Sequence, residues 1–206
     1  ASCLVGSEMC IRDRNRIEGF KIIQNKEFKK PWNLCFAGEL NDGKGVSLIL
    51  RALNNFSQKS RINIIHFAGD GEKKQQYVDF AKNLNINIKF HGAIDRESLF
   101  NIFKSSHFLL LPSKSEGFPK VVAEAANFGC IPIVSSTSSI PHYIQNEKNG
   151  FLWKRKKTTF EELLKLILER NKFNFESIKN EAYQLAENFD YSRYANRIFN
   201  EILNKK

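Results

Sequence analysis

The stretch His107-Phe-Leu-Leu-Leu-Pro-Ser-Lys-Ser-Glu116-Gly-Phe-Pro-Lys-Val-Val-Ala-Glu124-Ala125 decides how the chain is read. It opens on an apolar run of strand length with no polar alternation, the pattern of a strand covered on both faces. A polar loop follows. Pro119 then suits the first position of a helix, where its fixed φ is already helical and its missing N–H is not needed. A buried strand, a loop and a helix make half of a βαβ unit, and the same rhythm recurs on either side.

Upstream, residues 33–38 (NLCFAG), 62–69 (INIIHFAG) and 86–92 (INIKFHG) are short apolar runs ending in glycine. Each leads into a helical stripe: Val46, Leu48, Ile49, Leu50, Leu53 and Phe56; then Tyr77, Phe80, Ala81 and Leu84; then Leu99, Ile102 and Phe103. Downstream, a helix over 119–128 leads to strands at 131–135 and 150–153. The expectation is an α/β fold, a doubly wound parallel sheet of Rossmann-like type over residues 31–157. Helices over 160–170, 175–188 and 191–204 would form a C-terminal tail, 158–206, packing on it. Ligands of such sheets sit beyond the carboxyl ends of the strands, so the loops there hold the chemistry.

The chain has 206 residues and 18 Phe, enough apolar bulk to exclude disorder. No run approaches ~18 apolar residues, so no membrane span is expected. Residues 1–14 resemble translated sequencing-adapter DNA and are expected to be non-native, which places the native start upstream of about Asn15. Residues 15–30 are read as the remnant of an interdomain linker. Cys35 and Cys130 lie in apolar runs without metal-ligand spacing and read as small core hydrophobes in a reducing cytosol. The net charge of +10 invites a nucleic-acid reading, but it flanks the fold, with +3 in residues 15–30 and +4 in 154–206. Clustered basic residues with aromatic platforms are not visible, so no nucleic-acid partner is expected.

Gly38-Glu-Leu-Asn-Asp-Gly43-Lys44-Gly45 follows a strand and opens a helix, matching the phosphate-binding pattern GxxxxGK[ST] until its last position. There Gly45 stands where a magnesium-binding hydroxyl is required. What survives is a glycine-bearing turn with a lysine at a helix N-terminus, a setting that favours phosphate. Gly69-Asp70-Gly71 reads as a tight strand-to-helix turn. In the deciding stretch, Glu116 precedes a helix N-terminus and Glu124 lies in its second turn. Carboxylates flanking an anion site suit acceptance of hydrogen bonds from sugar hydroxyls; the alternative is that Glu116 stabilises the helix and Glu124 faces solvent.

The sequence here resembles the retaining glycosyltransferases of GT-B fold, family 4 (glycosyl transferases group 1). The resemblance runs from about Trp32 to Trp153 through FAGELNDGKG (36–45), HFAGDG (66–71), FHGAID (90–95), LLLPSKSEGFPKVVAEA (109–125), GCIPIVSS (129–136) and NGFLW (149–153). Glu116 and Glu124 match its E-x7-E motif, and AENFDYSRYA (186–195) resembles a helical stretch near its C-terminus.

The resemblance implies a C-terminal, donor-binding domain. Glu116 would act as the catalytic-site carboxylate on the donor sugar. The amides of Gly117, Phe118, Pro119 and Lys120 would line the diphosphate, although Pro119 has no N–H of its own, and Lys44 would supply a cation. Glu124 would hold the ribose, with Val121 beside it and the backbone near Ile94 reading the base. The nucleotide-sugar, a UDP- or GDP-sugar, is a substrate; no cofactor and no metal are implied. Two departures stand out. Glu39 occupies a position where the family often has Arg, and Pro119-Lys120 replaces Gly and an apolar residue. Either Lys120 supplies the charge that position 39 lacks, or Lys120 is solvated and Glu39 turns away.

The acceptor, a glycan or lipid-linked glycan, would bind on an N-terminal domain that this chain lacks, and the chain alone is expected to be inactive. Envelope polysaccharide synthesis and a cytoplasmic location complete the expectation; the basic flanks either suit an anionic membrane surface or are simply a solvated linker and helical tail. A GT-B-fold sugar-nucleotide epimerase and a basic nucleic-acid-binding module are the alternatives. His66, His91 and His107 read as packed histidines, while His142 lies in a loop that could face the cleft.

Overall fold

Strands buried on both faces need helices on both sides, and the chain supplies them in order. The computed structural model describes residues 13–117, 120–169 and 172–189. Helix α1 (Asp13–Asn25) precedes β1 (Trp32–Ala37), α2 (Val46–Asn54), β2 (Ile62–Ala68), α3 (Lys74–Ala81), β3 (Ile88–Gly92), α4 (Arg96–Ser105) and β4 (Phe108–Leu111). Then come α5 (Lys120–Asn127), β5 (Ile131–Ser135), the single turn α6 (Ile140–Tyr143), β6 (Phe151–Trp153), α7 (Phe160–Glu169) and α8 (Phe175–Ala186). The sheet runs β3-β2-β1-β4-β5-β6 with every pairing parallel. The expected doubly wound Rossmann-like sheet is therefore present.

Every residue of β4 and β5 is buried, whereas edge strand β3 is only partly covered. Helix α2 packs against α3 and α7, while α5 packs against α1, α4 and α8, which gives the sheet two helical layers. Helix starts follow local chemistry. Asp95 accepts from the Ser98 amide (2.7 Å) at α4, and Asn174 from the Ser177 amide (3.1 Å) at α8. Before α7, Thr159 and Glu162 exchange bonds as a capping box (2.8 and 3.1 Å).

The stretch 15–30, read as linker, contains most of α1, and that helix is fastened to the domain. Arg16 donates to Asn127 Oδ1 (3.1 Å), to the Tyr183 carbonyl (3.0 Å) and to Glu187 (3.2 Å), with its guanidinium 3.8 Å from the centre of the Tyr183 ring. A Cβ on Gly19 would lie 2.2 Å from the Asn127 carbonyl, so glycine lets the two helices touch. The Lys26 ammonium donates to the carbonyls of Phe103 and Phe128, both 2.8 Å away, at the ends of α4 and α5. Lys179 does the same for Ile23 (2.8 Å) and Lys26 (3.0 Å) at the end of α1. Residues 1–12 and the expected helix over 191–204 lie outside the described residues.

At the amino ends of β1 and β4, Phe28, Trp32, His107, Phe108 and Phe175 meet, several of them edge to face. Cys35 and Cys130 are fully buried free thiols, as expected of core positions. The Asn33 amide donates to His107 Nδ1 (2.9 Å), while Nε2 lies 3.2 Å from the Glu27 carbonyl. Those two partners select the neutral imidazole with its proton on Nε2.

A protonated His107 would aim N–H at N–H. Burial above all, helped by the Lys26 charge and opposed by the Glu27 carbonyl, holds its pKa at about 4. The unfolded chain protonates this histidine near ~6.5, so stability is complete above that pH and falls as pH drops toward 4. From pH 7 to pH 5 the loss should be on the order of 2 kcal/mol, read from urea midpoints. His66, also held at about 4 by burial and by His91, adds to the slope. His107→Asn should therefore flatten the pH profile without abolishing it; an unchanged slope would assign the acid sensitivity to other groups.

Candidate functional site

The strand order places β1 beside β4, the point from which the chain winds outward in both directions. Loops 38–45 and 112–117 leave the carboxyl ends of these neighbours, the edge where ligands of such sheets sit. Glycine makes their approach possible. Gly45, at φ +85°, precedes α2, and a Cβ on it would lie 2.5 Å from the Pro112 carbonyl oxygen. A Cβ on Gly69 would lie 1.8 Å from the Gly38 carbonyl oxygen, which accounts for Gly69-Asp70-Gly71 as a tight turn. The place where a P-loop needs a hydroxyl is thus one where no side chain fits.

Around that contact the loops are laced together. The Lys114 amide donates to the Gly43 carbonyl (2.7 Å), and Thr137 to the Lys114 carbonyl (3.0 Å). The Glu116 amide donates to Ser138 Oγ (3.3 Å), and the Ser139 hydroxyl to the Gly117 carbonyl. Arg155 reaches the Pro112 carbonyl (3.1 Å) from beyond β6. Asn41 fixes the lysine turn, its Oδ1 accepting from the Lys44 amide (2.8 Å).

This lacing brings Lys44 and Glu116 together across 72 positions of sequence. The Lys44 ammonium lies 3.0 Å from each Glu116 carboxylate oxygen. The carboxylate side chain is 10% exposed and the lysine 33%, so the cation is the solvent-facing partner. Gly117 is exposed, and a Cβ on it would meet nothing within 4 Å, so the backbone there is open to approach.

The second predicted carboxylate does not face solvent. The Glu124 side chain is 15% exposed, and Arg96 Nη2 lies 3.0 Å from its Oε1. Burial pushes its pKa up, opposed by the guanidinium of Arg96 and the ammonium of Lys120 one turn back. Ile94 and Val121 are partly buried against the core. Phe118 and Pro119 lie outside the described residues. Glu39 is exposed. Asp42, three residues on, is held by Lys73, Ser47 and Tyr77, whose hydrogen bonds keep its carboxyl well below the usual range.

His66 Nδ1 lies 2.9 Å from His91 Nε2 in a half-buried pair on β2 and β3, and His142 is exposed. Sequence reading missed Arg96, Asn41 and the serines at 138 and 139. No spacing or periodicity in the sequence joins Arg96 to Glu124, 28 residues away.

A doubly wound parallel sheet with flanking helices, its polar side chains gathered at the switch point, defines a Rossmann-like α/β domain. Residues 19–185 match the family described as glycosyl transferases group 1, and the chain belongs to that family. It is 30% identical over 140 residues to the O-antigen biosynthesis glycosyltransferase WclY of Escherichia coli, covering 66% of this chain and 37% of that protein. Its fold matches the catalytic domain of cholesterol-alpha-glucosyltransferase from Helicobacter pylori at a TM-score of 0.67, with 20% identity over 77% of this chain and 99% of that one. It also matches Anabaena HepE in complex with UDP and glucose at a TM-score of 0.68, with 18% identity over 92% of this chain and 52% of that one. The chain spans 26–47% of the length of the curated relatives it matches.

Restoring the P-loop hydroxyl gives a test of the loop geometry. Gly45→Ser should cost at least about 2 kcal/mol, from the left-handed backbone and the collision with Pro112, and should create no magnesium–nucleotide binding. Urea unfolding and a magnesium–ATP titration would check both expectations; an undiminished midpoint would show that the two loops can separate.

Proposed function

We propose that this chain is the donor-binding half of a glycosyltransferase that moves a sugar from a UDP- or GDP-sugar to a glycan or glycolipid acceptor. The observation that carries the reading is the Lys44–Glu116 pair at the β1–β4 switch point, ahead of the α5 N-terminus. A diphosphate at that N-terminus meets free amides and the positive end of the helix dipole, with Lys44 and Lys120 as mobile cations. Glu116 takes hydroxyls of the donor sugar. Glu124 takes those of the ribose, and the backbone near Ile94 takes the base edge. Charge on the diphosphate is met by lysines and amides, so the reading assigns no metal.

Envelope polysaccharide synthesis is supported by relatives named for O-antigen biosynthesis and for capsular polysaccharide biosynthesis. Retention of configuration follows from the family resemblance. The acceptor and the other wall of the cleft belong to a further domain, and the reading predicts donor binding without transfer from this chain alone. Among the described residues no helix is long and apolar enough to cross a membrane. A cytoplasmic site of action, with the basic flanks resting against anionic lipid, fits a lipid-linked acceptor.

Titration with UDP, GDP and a short DNA duplex at moderate salt tests the assignment. One of the nucleotides should bind, while any DNA signal should collapse with added salt as counterions are released. Lys44→Ala should weaken nucleotide binding about 10- to 100-fold, the scale of a charge-assisted contact. Lys120→Ala should weaken it too if Lys120 stands in for a cation at position 39; unchanged affinity would return Lys120 to the solvent. Salt-resistant DNA binding without nucleotide binding would overturn the reading.

A further inference from the structure

The loop after β3 does more than connect two elements. Asp95 caps α4 through the Ser98 amide (2.7 Å) and hydroxyl (3.1 Å), which fixes where the helix begins. Arg96 is the first residue of that helix, so its side chain starts from a defined point. It passes over the Phe100 ring, 5.2 Å from guanidinium carbon to ring centre, and Phe100 in turn packs on Phe128 at 4.9 Å. From this aromatic shelf Nη2 reaches Oε1 of Glu124, 3.0 Å away on α5. One carboxylate oxygen is thereby tied to a cation in a largely buried setting, while Oε2 retains its capacity to accept from another donor.

Such a pair is an expensive way to join two helices. Replacing a buried ion pair with apolar groups of similar volume is often neutral or stabilising, so packing alone does not call for it. Its position supplies a reason. Arg96 stands two residues after Ile94, and Glu124 lies in the second turn of α5, the helix that follows the loop carrying Glu116.

We propose that Arg96 is a positioning residue of the nucleotide site. It holds Glu124 so that Oε2 accepts from the ribose hydroxyls, and it thereby sets the preference for ribonucleotides over 2′-deoxyribonucleotides. The inference rests on the nucleotide-diphosphate reading given above. It adds a division of labour: the loop after β3 serves the base through its backbone near Ile94 and the ribose through the arm of Arg96.

The test measures binding of UDP, GDP and their 2′-deoxy counterparts to the full chain and to Arg96→Gln, Arg96→Lys and Glu124→Gln. Arg96→Gln should lose about 10-fold in affinity for the ribonucleotide and little for the deoxy form, so the preference collapses. Unchanged deoxynucleotide binding also reports an intact site. Arg96→Lys, which keeps one charged donor, should recover most of the preference, and Glu124→Gln should abolish it.

If Glu124→Gln loses the preference and Arg96→Gln keeps it, the Arg96 inference fails and the nucleotide reading stands. If both nucleotide forms weaken equally in Arg96→Gln, its role is structural and the inference fails. Should Arg96→Gln not fold, the lysine variant decides: a retained preference supports the inference and an equal loss of both forms overturns it. If the unaltered chain binds neither nucleotide, or Glu124→Gln keeps the preference, the underlying reading fails and takes the inference with it.

Discussion

Gly45 runs so close to the Pro112 carbonyl that no other residue fits between them, and the site is built around that contact. It presses the start of α2 against the end of β4, where the sheet changes its winding direction. The loops on the two strands then bond through their backbones, Lys114 to Gly43, and a lysine and a glutamate 72 residues apart share two hydrogen bonds. The same contact forbids the hydroxyl that would turn this loop into a magnesium-binding P-loop.

The opposite face of the arrangement is built to stay still. Arg16, Lys26 and Lys179 place cationic groups on helix-terminal carbonyls, where the dipole's negative end favours them. The aromatic group around Trp32 and Phe108 closes the amino ends of the central strands, and Phe28 and Phe175 tie in the segments that follow α1 and lead α8. Rigid packing at the amino ends leaves the loops at the carboxyl ends free to carry polar side chains without endangering the core.

The contrast explains what could be read from the sequence. All six strands and the helices between the first five follow from apolar runs and glycines, because those signals lie within a few residues of the element they specify; the single turn α6 lies in a stretch that reads as loop. Helix α1 was invisible to that method. Its anchors are Arg16, Lys26 just beyond its end, and Gly19, while Ile17 and Phe20 point outward, so its apolar stripe is blurred. The site divides in the same way. Lys44, Glu116 and Glu124 stand out by their positions after strands and near helix starts, but their partners are set by tertiary contact. Arg96 lies 28 residues from Glu124, and neither sequence periodicity nor spacing links them.

The two carboxylates hold unlike cations, and under the proposed function this bears on how a diphosphate could enter. At 4 Å two unit charges attract by about 1 kcal/mol in water but about 4 kcal/mol at an effective dielectric of 20. The Glu116 and Glu124 side chains are 10% and 15% exposed and their cations 33% and 28%, so both pairs lie between those limits and burial does not separate them. The cations differ instead: the Lys44 ammonium sits on a flexible stem that a phosphate could share, while the Arg96 guanidinium is a planar fork braced by Phe100. Breaking either pair would strand a carboxylate in a poorly solvated place, so the cation that can turn toward an anion while keeping its carboxylate is the one that responds. An incoming anion would therefore rearrange the lysine and leave the arginine where it is. The first pair can answer the ligand, and the second can serve as the fixed edge against which the ligand is measured.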